Sequence, residues 1–553
     1  MSYDNKGMKK PIWKNAVVYQ IYPRSFCDSN GDGIGDIPGI ISKLDYLKDL
    51  GVDILWLSPI YESPQFDIGY DISDYYKINP EYGTMEDFDR LIAEAKKRGM
   101  RIVMDLVANH TSDRHPWFQA SKDKNSPYHD YYVWMDGKDG GKRPPNNWTS
   151  NFTGPAWTYV PETGQWYLHI FAAEQPDLNW KNPKVVEEVE NIIRFYLDKG
   201  VYGFRCDVIN QIWKDSYEDS KRLTPLARGN EFYLMKEGNH RMLRKIYDDV
   251  LSHYEDCVMI GETYNVDLEN GKRFQENKEL TMFFQFELAN VRAFALPVFE
   301  RPFSAKRFKE VAFKWQKGIE WPTNYLENHD QRRSINKFGD PKRYWKASGK
   351  ALALFNLTLR GTPFIYQGEE IGMLDLPPRD PAKSMDCSAR MTDQLMKKMG
   401  VVKGLRKKMI NRFDRDHSRS PMQWNDGVSA GFSSNENPWI CANSNKDCIN
   451  VITETKDSDS ILSFYRNLLA YRRKSPALQE GTFLEIETKG DLIAYRRKLG
   501  DEESLVLLNL TKKRLRLPTF LRSIEGRVAL ATREPGEDPS NLLPYEGRLI
   551  ELA

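Results

Sequence analysis

The chain has 553 residues, of which 40% are apolar and 29% charged, enough to build a large core and too apolar for a disordered chain. Its 80 basic and 78 acidic side chains nearly cancel, so neither nucleic acid nor an anionic membrane surface is expected as a partner. The stretch MSYDNKGMKKPIWKNAVVYQIYPRSF lacks the apolar core of a signal peptide, no run is long enough to span a membrane, and Cys27, Cys206, Cys257, Cys387, Cys441 and Cys448 show no CxxC spacing, so a cytoplasmic protein with free thiols is expected.

In chain order, short β-rich runs alternate with helix-period segments over roughly the first 470 residues. Strands are predicted at 16–23, 53–60, 101–110, 203–209, 258–264, 281–288, 324–330 and 362–370, with helices between them such as 86–99 and 185–200. Eight strands alternating with helices predict an α/β fold, a parallel (β/α)8 TIM barrel. Residues 111–180, dense in Trp, Asn, Gly and Pro, are too long for a loop and are expected to form an inserted domain. Residues 371–470 carry basic helical pieces beyond the eighth strand. The tail turns all-β, with runs at 483–489, 491–499, 504–510, 526–532 and 547–552, which predicts a C-terminal antiparallel β-sandwich. The expected division is a barrel of 1–110 and 181–475, an insert of 111–180 and a C-terminal domain of 476–553.

Polar residues stand at the ends of these strands, where a buried parallel strand should be apolar. Asp105 and His110 end the third run, Arg205 and Asp207 the fourth, Glu262 the fifth, and His329 and Asp330 the seventh. The C-terminal ends of barrel strands meet at one mouth, which is where barrel enzymes keep their sites. One buried acid is more often a satisfied structural group, but several at matching strand ends point to a site, because unpaired carboxylates are costly in a low dielectric. Asp207, Glu262 and Asp330 are therefore the candidate catalytic carboxylates: glycoside hydrolysis needs two flanking the bond, one ionised and one protonated. Arg205, two residues before Asp207, is expected to hold that acid ionised. Metal chelation is the other use of clustered acids, but no HExxH or His–carboxylate spacing is present.

A separate turn, 28-DSNGDGIGD-36, offers Asp28, Asn30, Asp32, the Ile34 carbonyl and Asp36 in the alternating pattern of a calcium loop. Gly39 stands where an EF-hand has its glutamate, so the expectation is a structural Ca2+ or Mg2+ outside any EF-hand, with no catalytic cofactor.

Taken together, 105-DLVANHTSD-113, 175-QPDLNW-180, 203-GFRCDVIN-210, 261-GET-263, 327-ENHDQRR-333 and 419-RSPMQW-424 resemble, in order, the motifs of the α-amylase superfamily of glycoside hydrolases and its oligo-1,6-glucosidase branch. The resemblance covers nearly the whole chain. It implies a catalytic barrel, a B domain inserted after the third strand and a C-terminal β-sandwich. It also implies double displacement, with Asp207 as nucleophile, Glu262 as general acid/base and Asp330 as transition-state stabiliser. By the same resemblance Asp67, Tyr70, His110, Gln175, Arg205, His329, Arg333 and Arg419 bind the terminal glucose, and an Asp67–Arg419 pair closes the pocket, which gives exo action. In this branch the residue after the nucleophile tends to be Val in α-1,6-acting enzymes and Ala or Thr in α-1,4-acting ones. Here it is Val208, although a β-branched residue is also the default for a barrel strand.

The expected activity is thus that of a retaining α-glucosidase preferring α-1,6 linkages, acting on small oligosaccharides as a monomer or weak dimer. Alternatives on the same machinery are trehalose-6-phosphate hydrolase, a sucrose- or isomaltulose-acting hydrolase and a transglucosidase. A non-catalytic transporter heavy chain is disfavoured by the three acids and the missing anchor. Two features depart from the family pattern: Arg332 replaces a usual Pro, and 284–304 lacks the RLDRD signature of sucrose isomerases. The basic segment 397–416 is expected to be a solvated helix, with a phosphate-binding patch as the sharper reading.

Overall fold

The computed structural model describes residues 11–294, 296–534 and 536–552; the first ten residues of the stretch read for a signal peptide, and position 295 within 284–304, lie outside the described residues. Eight short parallel strands form the central sheet: β1 (Val18–Ile21), β2 (Ile54–Leu57), β3 (Arg101–Val107), β4 (Gly203–Asp207), β5 (Val258–Glu262), β6 (Met282–Phe284), β7 (Thr323–Asn324) and β8 (Thr362–Tyr366). Their lateral order, β6-β5-β4-β3-β2-β1-β8-β7, follows the chain around a ring. Thr323 Oγ1 donates to Phe283 O at 2.7 Å across the remaining seam, so the sheet is a nearly closed TIM barrel. β1, β2 and β8 are buried throughout, as expected of parallel strands covered on both faces.

The intervening helices follow their local signals. α1 (Met85–Lys97) starts at Thr84, whose side chain and that of Asp87 form a reciprocal capping box, and buries Phe88, Leu91 and Ala95 along one face. α2 (Pro183–Asp198) starts at Asn182, with Pro in its first turn.

Several strands end earlier than predicted. β7 stops at Asn324, so His329 and Asp330 lie on the loop beyond it. There Asn328 turns the chain by accepting from Asp330 N at 2.9 Å, which a continuing strand would not allow.

Residues 111–180 hold the short helix Pro116–Ser121 and a three-stranded antiparallel sheet of Trp134–Met135, Gln165–Leu168 and Trp157–Val160. Their apolar cluster around Trp148, Trp157 and Leu168 also takes in Tyr217, Phe232, Tyr233 and Leu234, so the packing unit reaches beyond the sequence interval into the loop after β4. Isolated bridges His110–Asp177 and Tyr132–Leu178 draw the end of this segment back onto the end of β3.

The C-terminal strands β9 (Thr482–Glu485), β10 (Leu492–Leu499), β11 (Glu502–Asn509), β12 (Gly526–Ala531) and β13 (Gly547–Leu552) form one antiparallel sheet. Alternation along β10 divides its side chains between two faces. Tyr495 faces the barrel helices, where it meets Phe313 and hydrogen-bonds Thr358 at 2.6 Å, while Leu492 and Ala494 pack with Leu517, Leu521 and Leu542 on the other side. No helix among the described residues is long and apolar enough to cross a membrane.

Candidate active site

The side-chain period of two along β4 sends Arg205 and Asp207 to the same face, and the ladder sets Arg205 opposite Asp105 on β3 and Ile260 on β5. Asp207 and Glu262 end adjacent strands, so both carboxyls reach the barrel mouth. Val208, immediately after Asp207, is left-handed at φ 38°, ψ 36°. A β-branched residue in that region costs on the order of 1–3 kcal/mol, and such strain collects at functional sites. Here the turn ends β4 and aims Val208 N at Glu262 Oε2, 3.3 Å away.

One guanidinium organises the acids. Arg205 Nη1 donates to Asp105 Oδ1 at 2.7 Å and to Asp207 Oδ1 at 2.9 Å, and its Nη2 donates to Glu262 Oε2. Asp207 and Glu262 are 11% and 12% exposed, whereas Arg205 and Asp105 are 2% and 0%, so only the first pair can be reached from the mouth. Burial pushes the Asp207 carboxyl well above its usual range; Arg205 pulls it down, while the charges of Glu262 and Asp105 and a hydrogen bond with Glu262 push it up. Arg205 favours the ionised form of Asp207 as the sequence suggested, but its guanidinium is shared among three carboxyls. Both carboxyls accept from the single guanidinium of Arg205, so they stand side by side at the mouth.

Asp330 sits opposite, with Oδ1 accepting from Arg419 Nη2 at 2.8 Å and from Arg415 Nη1 at 3.3 Å. Burial would raise its carboxyl, but His329, Arg415 and Arg419 hold it well below the usual range. At neutral pH the arginines carry that effect, because burial pushes His329 down to about 3 and leaves it uncharged. The His329 ring is stacked between Tyr70 and Tyr22, with Nδ1 against Gln20 Nε2 at 2.8 Å and Nε2 against Tyr70 OH at 2.7 Å. Tyr70 OH also donates to Asp105 Oδ2 at 3.1 Å.

The far wall is Asp67, whose Oδ2 accepts from Gln175 Nε2 at 3.3 Å; His110 Nε2 lies 3.1 Å from the same amide nitrogen. The bridge at Asp177 brings Gln175 to this position. The partner of Asp67 is Arg415, at 2.8 Å, rather than the expected Arg419. Arg419 is fully buried behind Asp330, stacks on Tyr22 and donates to His329 O at 3.1 Å. Arg333 is corrected more sharply. Its guanidinium points away from the mouth, pairing with Glu327 at 3.0 Å and donating to Gln367 O at 2.7 Å, so it braces the loop after β7.

Residues 20–481 match the family described as alpha amylase, catalytic domain. The chain belongs to the α-amylase family of glycoside hydrolases. It is 44% identical to an oligo-1,6-glucosidase of Parageobacillus thermoglucosidasius over 99% of this chain and 100% of that one. It is also 40% identical to a trehalose-6-phosphate hydrolase of Bacillus subtilis, over 99% of each. The crystal structure of the trehalulose synthase of Pseudomonas mesoacidophila MX-45 superposes with a TM-score of 0.92 at 39% identity, covering 99% of this chain and 100% of that one.

In this α-amylase-family chain, sequence reasoning missed Arg415, Asp386 and Gln20 as parts of the site. Arg415 also pairs with Asp386 at 2.7 Å and stacks on Phe152, so it ties the insert to the barrel mouth. Its only sequence signal was its place between two acids in 413-FDRDH-417. The basic segment is not one solvated helix: α3 (Cys387–Lys398) and α4 (Lys403–Ile410) are separate, and the turn after them delivers Arg415.

The 28–36 loop is only partly suited to a cation. Asp28 Oδ1 accepts from Gly31 N at 2.7 Å and its Oδ2 from Gly33 N at 2.8 Å, while Asp32 Oδ1 accepts from Ile34 N at 2.8 Å. Asp36 turns away to cap the helix Ile37–Ser42 through Gly39 N. Among the described residues no three His, Cys, Asp or Glu side chains are placed to hold a metal ion. The hard oxygen donors left for Ca2+ or Mg2+ are Asp28, Asn30, Asp32 and the Ile34 carbonyl.

Proposed function

We propose that the protein is a retaining, exo-acting α-glucosidase that releases the terminal non-reducing glucose of short α-1,6-linked sugars such as isomaltose, isomaltooligosaccharides and panose. A glucose enters beside Asp207 and Glu262, with protonated Glu262 at the glycosidic oxygen and Arg205 stabilising ionised Asp207. Asp207 attacks the anomeric carbon as Glu262 protonates the departing oxygen, forming a glucosyl ester. Glu262 then takes a proton from water, whose oxygen displaces Asp207 and releases glucose with its configuration retained. Asp330, kept ionised by Arg415 and Arg419, faces the positive charge that develops on the sugar ring.

The observation that carries this reading is the shared grip of Arg205 on Asp207 and Glu262. Exo action is supported by the Asp67–Arg415–Asp330 chain, which walls off space beyond the first glucose. The α-1,6 preference is supported by Val208 and by the 44% identity to an oligo-1,6-glucosidase. Steady-state kcat/KM on isomaltose, panose, maltose and sucrose tests it. Isomaltose should exceed maltose by about tenfold, a gap within reach of pocket shape alone; the reverse ratio would overturn the linkage assignment.

We further propose a monomer or weak dimer working in the cytoplasm, a setting suited to six unpaired cysteines that include the exposed Cys441 and Cys448. We also propose a cation at loop 28–36, acting as a structural staple between the first barrel loop and Ser433, which donates to Asp28 Oδ2.

A further inference from the structure

Asp67 reaches the glucose pocket from the loop 63–73, which follows β2 and runs between the short paired strands Tyr61–Glu62 and Asp74–Ile78. Ser73 N donates to Glu62 O at 2.8 Å and closes the base of the loop. Inside it the backbone enters the left-handed region at Gln65 (φ 66°), Ile68 (φ 46°) and Gly69 (φ 96°). Gly69 suits its place, since a Cβ there would meet Pro59 O at 3.0 Å. Gln65 and β-branched Ile68 are held against their preference. A turn so strained keeps one shape only if neighbouring groups hold it there.

Asp71 is the group that does so. It is fully buried, and its carboxylate reaches back over the turn: Oδ2 accepts from Phe66 N at 2.9 Å and Oδ1 from Asp67 N at 3.0 Å. The Ser63 hydroxyl is its third partner. Every one of these side-chain bonds falls within the loop, so Asp71 holds the turn itself and ties it to no other element. No cation pairs with it among the described residues. Burial pushes its carboxyl up to about 7, the amides of Phe66 and Asp67 pull it down, and the like charge of Asp67 pushes it up. A buried carboxyl without a cation is costly to keep, and a general brace could be built from an uncharged side chain. Here both oxygens engage two consecutive amides, and the second belongs to Asp67. From that fixed backbone the Asp67 carboxylate meets Arg415 at 2.8 Å and Gln175 at 3.3 Å, the two contacts that set it in the pocket wall.

We propose that Asp71 is a positioning residue for the glucose pocket: by gripping the amides of Phe66 and Asp67 it aims the Asp67 carboxylate at the terminal sugar. The inference rests on the α-glucosidase reading and deepens it, because Asp71 is buried out of reach of the sugar and acts through Asp67.

The test is made on the full chain with Asp71→Asn, which keeps the shape of the side chain but turns one acceptor into a donor facing an amide N–H. On isomaltose KM should rise about tenfold while kcat stays within about threefold of the parent, and the affinity for free glucose, read by calorimetry, should fall about tenfold as well. The split separates aim from damage to the fold, since a partly unfolded sample would lose kcat and keep its KM. In an Asp67→Asn background the same change should cost less than about twofold more, because the group it aims has lost its charge already. Equal losses in both backgrounds, an unchanged glucose affinity, or a fall in kcat with KM kept would each overturn the proposal. Hydrogen exchange on the parent protein reads the same grip without a variant: at mildly alkaline pH the amides of Phe66 and Asp67 should exchange slowly, and more slowly still with glucose bound. Exchange as fast as in an open loop would overturn it too. Absent hydrolysis by the parent counts against the glucosidase reading, whereas glucose binding and amide exchange still decide the role of Asp71.

Discussion

Around the carboxylates three arginines hold six carboxyls, whereas along the groove that opens between Asp330 and Tyr264 and runs out to Lys407 and Lys408 of α4 cations outnumber anions. In the inner pocket Arg205 takes three carboxyls, Arg415 takes Asp67, Asp330 and Asp386, and His329 is uncharged between two tyrosines. These groups stand on strand ends and buried turns, so their dipoles are set before a sugar arrives, the arrangement that stabilises a transition state without reorganisation. The groove's cations sit on a hairpin arm at Arg292, a loop and a short helix, half in solvent. The difference teaches that arginines shared among several buried carboxyls fix the charges around one sugar, a constraint the half-solvated groove does not impose.

The sharpest way to break the comparison is to remove the reacting group. Asp207→Asn should lower kcat on any α-glucoside by about 10⁴- to 10⁶-fold while Tm stays near that of the parent, judging from what loss of a nucleophile costs elsewhere. Next, Arg415→Ala leaves Asp67 and Asp386 buried without their cation and opens the pocket wall. A loss of about a hundredfold in kcat/KM on isomaltose is expected, since truncating one member of a buried charged pair costs several kcal/mol. A change below about threefold would remove Arg415 from the account.

The pH dependence follows from which groups keep one charge state. Asp330, held low, is ionised throughout the working range, and His329, at about 3, is neutral throughout it. Neither makes a limb of the profile. A nucleophile that must be ionised and an acid that must be protonated then set the two limbs, so kcat/KM on isomaltose should be bell-shaped, falling about tenfold per pH unit outside it. A flat profile from about pH 4 to pH 9 contradicts the scheme. The groove differs, because burial pushes Lys337 down to about 7, so it loses charge within that range as pH rises; Glu300 and Asp375 pull it up, and Arg332 and Arg292 push it further down. The smallest effect is expected from chelation: removing a cation from the 28–36 loop should lower Tm by about 2–4 °C, with the rate at moderate temperature nearly unchanged.

The inner pocket was largely legible in the sequence because its residues end strands. A charged residue in a run such as 203-GFRCD-207 breaks an apolar pattern and is visible without a structure. Asp207, Glu262, Asp330, Arg205, His110 and His329 lie together as that pattern suggested, and Asp67, Tyr70 and Gln175, expected only from the family resemblance, join them. What failed was the pairing of arginines. Arg333, Arg415 and Arg419 are close in space after the chain turns twice, and nothing in their spacing tells which reaches Asp67, which reaches Asp330 and which braces Glu327. The groove was illegible for a related reason. Its cations are unremarkable singly, and only the fold of the hairpin arm against α4 gathers them.

The central claim is double displacement by Asp207 and Glu262, and the anomer of the first-released glucose reads it directly. Proton NMR of the hydrolysis of p-nitrophenyl α-glucoside, whose leaving group is not itself glucose, recorded before mutarotation, should show α-glucose appearing first and β-glucose only later. β-Glucose as the first product would mean inversion, and would contradict the mechanism drawn from this site.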